Sequence, residues 1–428
     1  MNIKELYKLY IKNPSICTDT RSVMKGAIFF ALKGDNFDAN KFAETALDKG
    51  CSYAIIDNEE YDISNRCILV KDTLETLQEL AKHHRKQLNI PVIGITGTNG
   101  KTTTKELIRS VLNRKFKTFA TEGNYNNHIG VPLSILSITK EHEIAIIEMG
   151  ANHQHEIADL CEISQPTLGL ITNIGKAHLE GFGSFENLIN TKKELYDYID
   201  KNNGKLFVNK DNKLLFKLSE NSNKYIYGTS SSDSLGRFTQ ASPNMIMELV
   251  SKKGILYVKS HLIGAYNFEN VLAAASIGRY YNIDDLEIKK AIEEYHPSNK
   301  RSQLQKTNSN TLILDLYNAN PTSMKASIDN FRNIPFREKT LILGDMLELG
   351  KESKREHEEI INLLEQYKFI NVLLVGREFK KLQNNTEYKT FENSSILIEY
   401  LKYNKPNNNM ILIKGSRGIK LEQCIEHL

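Results

Sequence analysis

Short apolar runs alternate with longer amphipathic stretches over almost the whole chain, the pattern of strands feeding helices in parallel sheets. Between residues 28 and 85 the runs IFFAL, YAIID and CILV predict strands, and the polar ETLQELAKHHRKQLNIP predicts a helix stopped by Pro91. A second series predicts strands at VIGIT, EIAIIEMG, TLGLITNIG and KLFVN, then a hairpin over MIMELVSKKGILYVK and a helix over NFENVLAAASIGRYY. The hydrophilic YHPSNKRSQLQK reads as a linker. Beyond it TLILD, TLILGDM, NVLLVG and MILIKG alternate with helices, as in a small third parallel sheet. The opening MNIKELYKLY predicts an amphipathic helix rather than a signal peptide.

A chain of 428 residues is too long for one ordinary core. The pattern divides it into three α/β domains, at residues 1–88, 89–298 and 299–428. Composition narrows the function by exclusion. The 56 Lys and Arg against 52 Asp and Glu leave a formal charge of +4, too dilute for the footprint of a nucleic-acid binder. Cys17, Cys51, Cys67, Cys161 and Cys424 show no CxxC spacing, so neither a disulfide framework nor a zinc site is indicated. No apolar run approaches the length that spans a bilayer, and a cytoplasmic protein is expected.

The chemistry concentrates in GITGTNGKTTTKE, residues 94–106. A strand, a glycine-rich turn and a helix aim several backbone N–H groups and the positive end of a helix dipole at one point, which makes an anion site. Lys101 adds a full charge, and the Thr102 hydroxyl stands where a Mg²⁺ bridging two phosphates would sit. Gly94 lies six residues before Gly100, one more than the strict Walker spacing, which points to a subclass of nucleotide loop. The nearest approach to a guanine-reading N-K-x-D is NKDN at 209–212, with Asn212 where Asp is required, so a GTPase switch is disfavoured. Glu148 ends an apolar strand, where ligands of parallel sheets collect. Alone it is equally a solvated strand-end carboxylate, and beside a phosphate loop the metal reading is favoured. His178 follows another strand of the same series, and an isolated histidine is more often a packing or surface residue than a ligand. Lys192, in NLINTKKELYDYI, reads by itself as part of a solvated helix face.

Taken together these stretches resemble the Mur ligases, ATP-dependent amide-bond ligases of bacterial cell-wall synthesis, over essentially the whole chain. TGTNGKTTT is typical of that superfamily, which includes folylpolyglutamate synthetases. DTR (19–21), IFFALKGDNFDANKF (28–42), GNYNNHIGVP (123–132), EMGANHQHEI (148–157), AHLEGFGS (177–184), YNANPTSM (317–324), GDMLELG (344–350) and KGSR (414–417) point within it to the branch that adds D-alanyl-D-alanine. The resemblance implies a small N-terminal UDP-binding domain, a central P-loop ATPase-like parallel-sheet domain and a C-terminal Rossmann-like domain. It implies ATP wrapped by Gly97, Thr98, Asn99, Gly100, Lys101, Thr102 and Thr103, with two Mg²⁺ on Thr102, Glu148, His178 and Lys192. Lys192 matches a lysine carbamylated by CO₂ in related ligases. Lys101, Glu148, His178 and Lys192 would be the catalytic set. Asn267 and Asn270 match asparagines that lie against the nucleotide base, and Tyr266 replaces the family's usual histidine. Arg301 matches a linker arginine that reaches the phosphates, and Asp315 a carboxylate on the ribose. On the residues alone, Asp315 is as readily a turn cap as a ligand.

The implied substrates are UDP-MurNAc-tripeptide and D-Ala-D-Ala, bound by a monomer without nucleic acid or membrane insertion. Asp19, Thr20, Arg21, Lys33 and Gly34 would read the UDP end, although DTR is also an ordinary surface turn. Asn124, Asn126, Asn127, Tyr317, Asn318 and Asn320 would meet the substrates. Lys414, Ser416 and Arg417 would take a substrate carboxylate, with a structural helix start as the plainer alternative. The rivals are a ligase adding the third stem residue, a folylpolyglutamate synthetase, and an ATP-binding regulatory module without chemistry.

Overall fold

The computed structural model describes every residue except Asp35, His178, 241–243, 252–253, 298–300 and Ser302. Three sheets carry the architecture, and each expected strand lies in one of them. The first has four parallel strands in the order Ile16–Cys17, Ile28–Phe30, Tyr53–Ile56, Cys67–Leu69. The central sheet has nine strands, and the five toward one edge are ordered Lys205–Asn209, Leu168–Ile171, Val92–Thr96, Ile144–Glu148, Thr118–Ala120, all parallel. The strand Val92–Thr96 is therefore flanked by strands that follow it in sequence on both sides, the topological switch where a ligand crevice opens. The hairpin Ile246–Ser251 and Gly254–Lys259 extends the far edge antiparallel.

The third sheet runs Gln303–Lys306, Thr311–Asp315, Met410–Lys414, Lys339–Gly344, Asn371–Val375, Lys389–Phe391. Its first strand corrects the sequence reading. Gln303–Lys306, the end of the expected linker, pairs antiparallel with Thr311–Asp315 and forms an edge strand. An edge strand exposed on one side tolerates the polar residues that disguised it. The N-terminal helix, Ile3–Lys12, is closed by a capping box between Asn2 and Glu5.

The two domain junctions are built differently. One buried apolar cluster contains Leu6, Phe30, Ile55, Leu77 and Leu80 from the first domain together with Val131, Ile135, Ile157 and Leu160 from the central one. Polar side chains fasten the same seam. The Arg85 guanidinium donates to the carbonyls of Ser164 (2.9 Å) and Gln165 (3.0 Å). His84 bonds the Ile138 carbonyl at 2.9 Å and the Tyr7 hydroxyl at 3.2 Å, and Tyr10 donates to the Leu136 carbonyl. Burial holds His84 below the usual histidine range, so it stays neutral here. The third domain meets the centre through polar groups and through Ile263, which inserts into the core formed by Ile313, Met324, Ile328 and Leu343.

Candidate active site

The loop after Val92–Thr96 folds as the sequence chemistry requires. Gly97 has φ +142°, and a Cβ there would stand 2.1 Å from Thr172 Oγ1; Gly100 has φ +79° and heads the helix Lys101–Leu112. Both positions exclude other residues, one by contact and one by backbone conformation. The loop is clamped by the segment after the strand Leu168–Ile171. Thr98 N–H donates to the Asn173 carbonyl (2.9 Å), and Asn99 N–H donates to Asn173 Oδ1 (3.0 Å). Thr172 Oγ1 donates to the Asn99 carbonyl at 2.6 Å. Nothing in their local sequence marks Thr172 and Asn173; only their place at the end of an adjacent parallel strand could have flagged them.

Lys101 Nζ folds back onto the carbonyls of Gly97 (2.8 Å) and Thr98 (3.1 Å). Burial lowers its pKa, and the Glu148 carboxylate opposes that shift. Glu148 is 1% exposed and is surrounded by donors: Thr102 Oγ1 reaches both its oxygens (2.8 and 3.0 Å), and Asn126 Nδ2 donates at 2.9 Å. A hydroxyl and a carboxylate are the hard oxygen ligands Mg²⁺ takes. Among the described residues no group of three or more His, Cys, Asp or Glu could hold a metal. The donor set therefore fits a cation that takes its remaining ligands from phosphate and water, as Mg²⁺ does. His178 lies outside the described residues.

Lys192, on the helix Phe185–Lys201, is buried rather than solvated. Its ammonium faces the cavity 5.7 Å from the Phe182 ring centre. Burial, reinforced by nearby Lys101, pushes its pKa down to about 7. Arg301 stacks its guanidinium 3.6 Å over the Tyr317 ring, and its buried Nε finds no hydrogen-bond partner. An orphaned donor on a cation suits an anionic ligand.

These groups share one cavity of about 980 Å³ between the central and third domains. The loop residues 97–103, Asn126, Asn127, Glu148 and Lys192 line it from the centre. Asn267, Asn270 and Arg301 join them, and Asp315, Tyr317, Asn318, Asn320 and Lys414 line the opposite side. Gln78 and Lys82 of the first domain reach its rim. Asp19, Thr20, Arg21, Lys33, Gly34, Asn124, Ser416 and Arg417 are not part of its wall. Asp19 and Arg21 pair with each other at 2.6 Å, and Lys33 pairs with Asp57 at 2.8 Å. Ser416 is buried, accepting from Leu347 N–H at 2.9 Å.

Four candidates hold structural partners that the sequence did not announce. Asp315 and Lys414, expected on ribose and on a substrate carboxylate, pair with each other at 2.6 Å, because they end neighbouring parallel strands in register. Asn270 accepts from Thr104 Oγ1 (3.0 Å) and donates to Asn267 (2.9 Å), with its amide packed under Gly100. Asn320 caps the helix Pro321–Asn333 through Ser323 N–H and donates from Nδ2 to Asn99 Oδ1 at 2.8 Å, tying the third domain to the phosphate loop. Beside it Thr322 accepts from Lys176 N–H (3.1 Å), and Lys176 pairs with buried Glu356 at 2.8 Å.

Comparison with known proteins agrees with this assembly. The Mur ligase middle domain matches residues 95–278, and the Mur ligase glutamate ligase domain matches 300–417. The UDP-N-acetylmuramoyl-tripeptide--D-alanyl-D-alanine ligase of Bacillus subtilis is 32% identical, covering 100% of this chain and 97% of that protein. MurF from Acinetobacter baumannii superposes with a TM-score of 0.86 at 30% identity, over 96% of this chain and 92% of that one. MurF ligase from Thermotoga maritima, solved with ADP, gives 0.85 at 28% identity over 97% of each. The chain belongs to the Mur ligase family.

Proposed function

We propose that this chain joins D-alanyl-D-alanine to UDP-MurNAc-tripeptide with ATP, giving UDP-MurNAc-pentapeptide, ADP and phosphate. The observation that carries this reading is likeness to D-alanyl-D-alanine-adding ligases along the entire chain. No helix of the described residues is long and apolar enough to cross a membrane; the proposed enzyme is a cytoplasmic monomer acting on soluble precursors.

The cavity supports a two-step route. The terminal carboxylate of the tripeptide attacks the γ-phosphorus of ATP, and ADP leaves. The amine of D-Ala-D-Ala then attacks the acyl phosphate, loses a proton, and expels phosphate. Each step brings anions together, so the protein's work is alignment and charge neutralisation. The free N–H groups at the start of Lys101–Leu112 would hold the phosphates. Lys101 would move from the carbonyls of Gly97 and Thr98 to the phosphate oxygens, and Arg301 would spend its unpaired Nε there. Thr102 and Glu148 would hold Mg²⁺, which supplies charge neutralisation at the phosphates when bound. His178 completes the proposed set. With a pKa of about 7, Lys192 is substantially a neutral amine near neutral pH, the form that adds CO₂ and releases a proton to become a carbamate. The carbamate would convert a cation facing the cavity into an oxygen ligand. A ¹³C carbamate resonance in protein equilibrated with ¹³C-bicarbonate, absent from Lys192→Ala, checks it.

The deciding experiment is phosphate release with ATP and Mg²⁺ in the presence of UDP-MurNAc-tripeptide, with and without D-Ala-D-Ala, with product mass followed. Release that requires both, and a product heavier by one dipeptide, is expected; lysine- and diaminopimelate-containing tripeptides compared side by side identify the stem. Turnover without dipeptide dependence overturns the reading. Asp315→Asn, which keeps the shape of the pair with Lys414, should raise the KM for ATP several-fold if Asp315 reaches the ribose. An unchanged KM removes it from the nucleotide site.

A further inference from the structure

Behind Glu148, on the side away from the cavity, stands a lysine that the sequence reading passed over. Lys105 is fully buried on the helix Lys101–Leu112 and takes no part in the cavity wall. Its ammonium donates to the Thr121 carbonyl at 2.5 Å and pairs with Glu106 at 3.2 Å and Glu148 Oε2 at 3.6 Å. Thr121 closes the triangle, its Oγ1 accepting from Glu148 N–H at 3.0 Å. The carboxylate thus meets neutral donors from Thr102 and Asn126 and the side-chain nitrogen of Lys105.

We propose that Lys105 is a positioning residue that fixes Glu148 and offsets its charge, so that the site accepts a divalent cation only together with the phosphates of the nucleotide. The inference rests on the reading of Glu148 as a Mg²⁺ ligand. A carboxylate whose charge is partly offset by a buried ammonium, which it shares with Glu106, attracts a free dication more weakly than an unpaired one would, and the described residues offer no cluster to compensate. A triphosphate supplies the missing negative charge and oxygen ligands. The cation would then enter as part of the nucleotide complex, and an empty site would not fill with metal in a geometry that obstructs it.

The test is Mn²⁺ titration of the full-length protein, followed by loss of the free-ion EPR signal, with and without a non-hydrolysable ATP analogue. Wild type should leave Mn²⁺ free until the analogue is added. Lys105→Met should bind Mn²⁺ without nucleotide, about tenfold or more tightly than wild type, as expected when one unit of nearby positive charge is removed. Lys105→Gln, a less apolar replacement, should follow it. Folded variants that titrate like wild type overturn the proposal. So does wild type that takes up Mn²⁺ tightly without nucleotide, a result independent of whether either variant folds. Ligation by wild type is measured separately, so failure here leaves the enzymatic reading standing, and loss of dipeptide-dependent turnover fails that reading alone.

Discussion

The first and third domains both border the central one, but they are attached by different physics. The first shares a continuous apolar core with it, with Arg85, His84 and Tyr10 bonded across the seam. Apolar burial is roughly additive in area and indifferent to direction, so such a junction behaves as part of one folded body. The third domain is held by the Asn320 to Asn99 bond, the Thr322 contact, the Lys176–Glu356 pair and Ile263. Polar contacts of that kind exchange with water at little net cost. The contrast teaches which part should move: the third domain can leave and return while the first stays in place, so substrates would be exchanged at the cavity between centre and third domain.

The sharpest way to break this contrast is Leu80→Ala. Leu80 is fully buried in the shared core, and its truncation should cost about 2–5 kcal/mol. Calorimetry should show one cooperative transition for the first and central domains moving down together; a separate early transition of the first domain would refute the single-body view. Arg85→Met should cost about 1–3 kcal/mol by stranding the Ser164 and Gln165 carbonyls, read as a shift in denaturant midpoint. Asn320→Asp is the counterpart at the other junction, because it keeps the helix cap while it replaces the Nδ2 donor to Asn99 with a charged acceptor. Its effect should be about 1 kcal/mol on domain docking, visible as an increased radius of gyration in small-angle scattering with the melting temperature nearly unchanged. The smallest effect concerns pH. Because burial lowers His84 in the folded state, the unfolded chain binds the extra proton as pH falls below about 6.5. The stabilisation from neutral His84 is therefore complete above that pH and is lost on acidification toward the lowered pKa. The difference in midpoint between wild type and His84→Gln should shrink from pH 7.5 to 5.5.

What could be read in advance follows from how local each feature is. The phosphate loop was legible because a strand, glycines, Lys101 and Thr102 lie within a dozen residues, and the clash at Gly97 shows why that spacing admits no substitute. The strand at 205–209 and the helix at 267–280 were legible from periodicity. Lys192 carried the wrong local signal, since a lysine in a polar helix reads as solvated and only the tertiary packing buries it. Lys105 drew no reading at all, because its burial too comes only from tertiary packing. Asp315 and Lys414 were noticed singly, but their pairing depends on two strands separated by 99 positions meeting in register. The edge strand Gln303–Lys306 was hidden by its polarity.

The bond between Asn320 and Asn99 has an electrostatic consequence of its own. It draws the capped start of Pro321–Asn333 toward the loop that begins Lys101–Leu112, so two helices present their positive ends to the same small volume. Like ends repel, and Lys101 and Arg301 sharpen the repulsion. A polyanion between them would reverse its sign. The nucleotide would then be the mortar of the closed molecule as well as its phosphoryl donor, and closure would weaken as added salt takes over that screening.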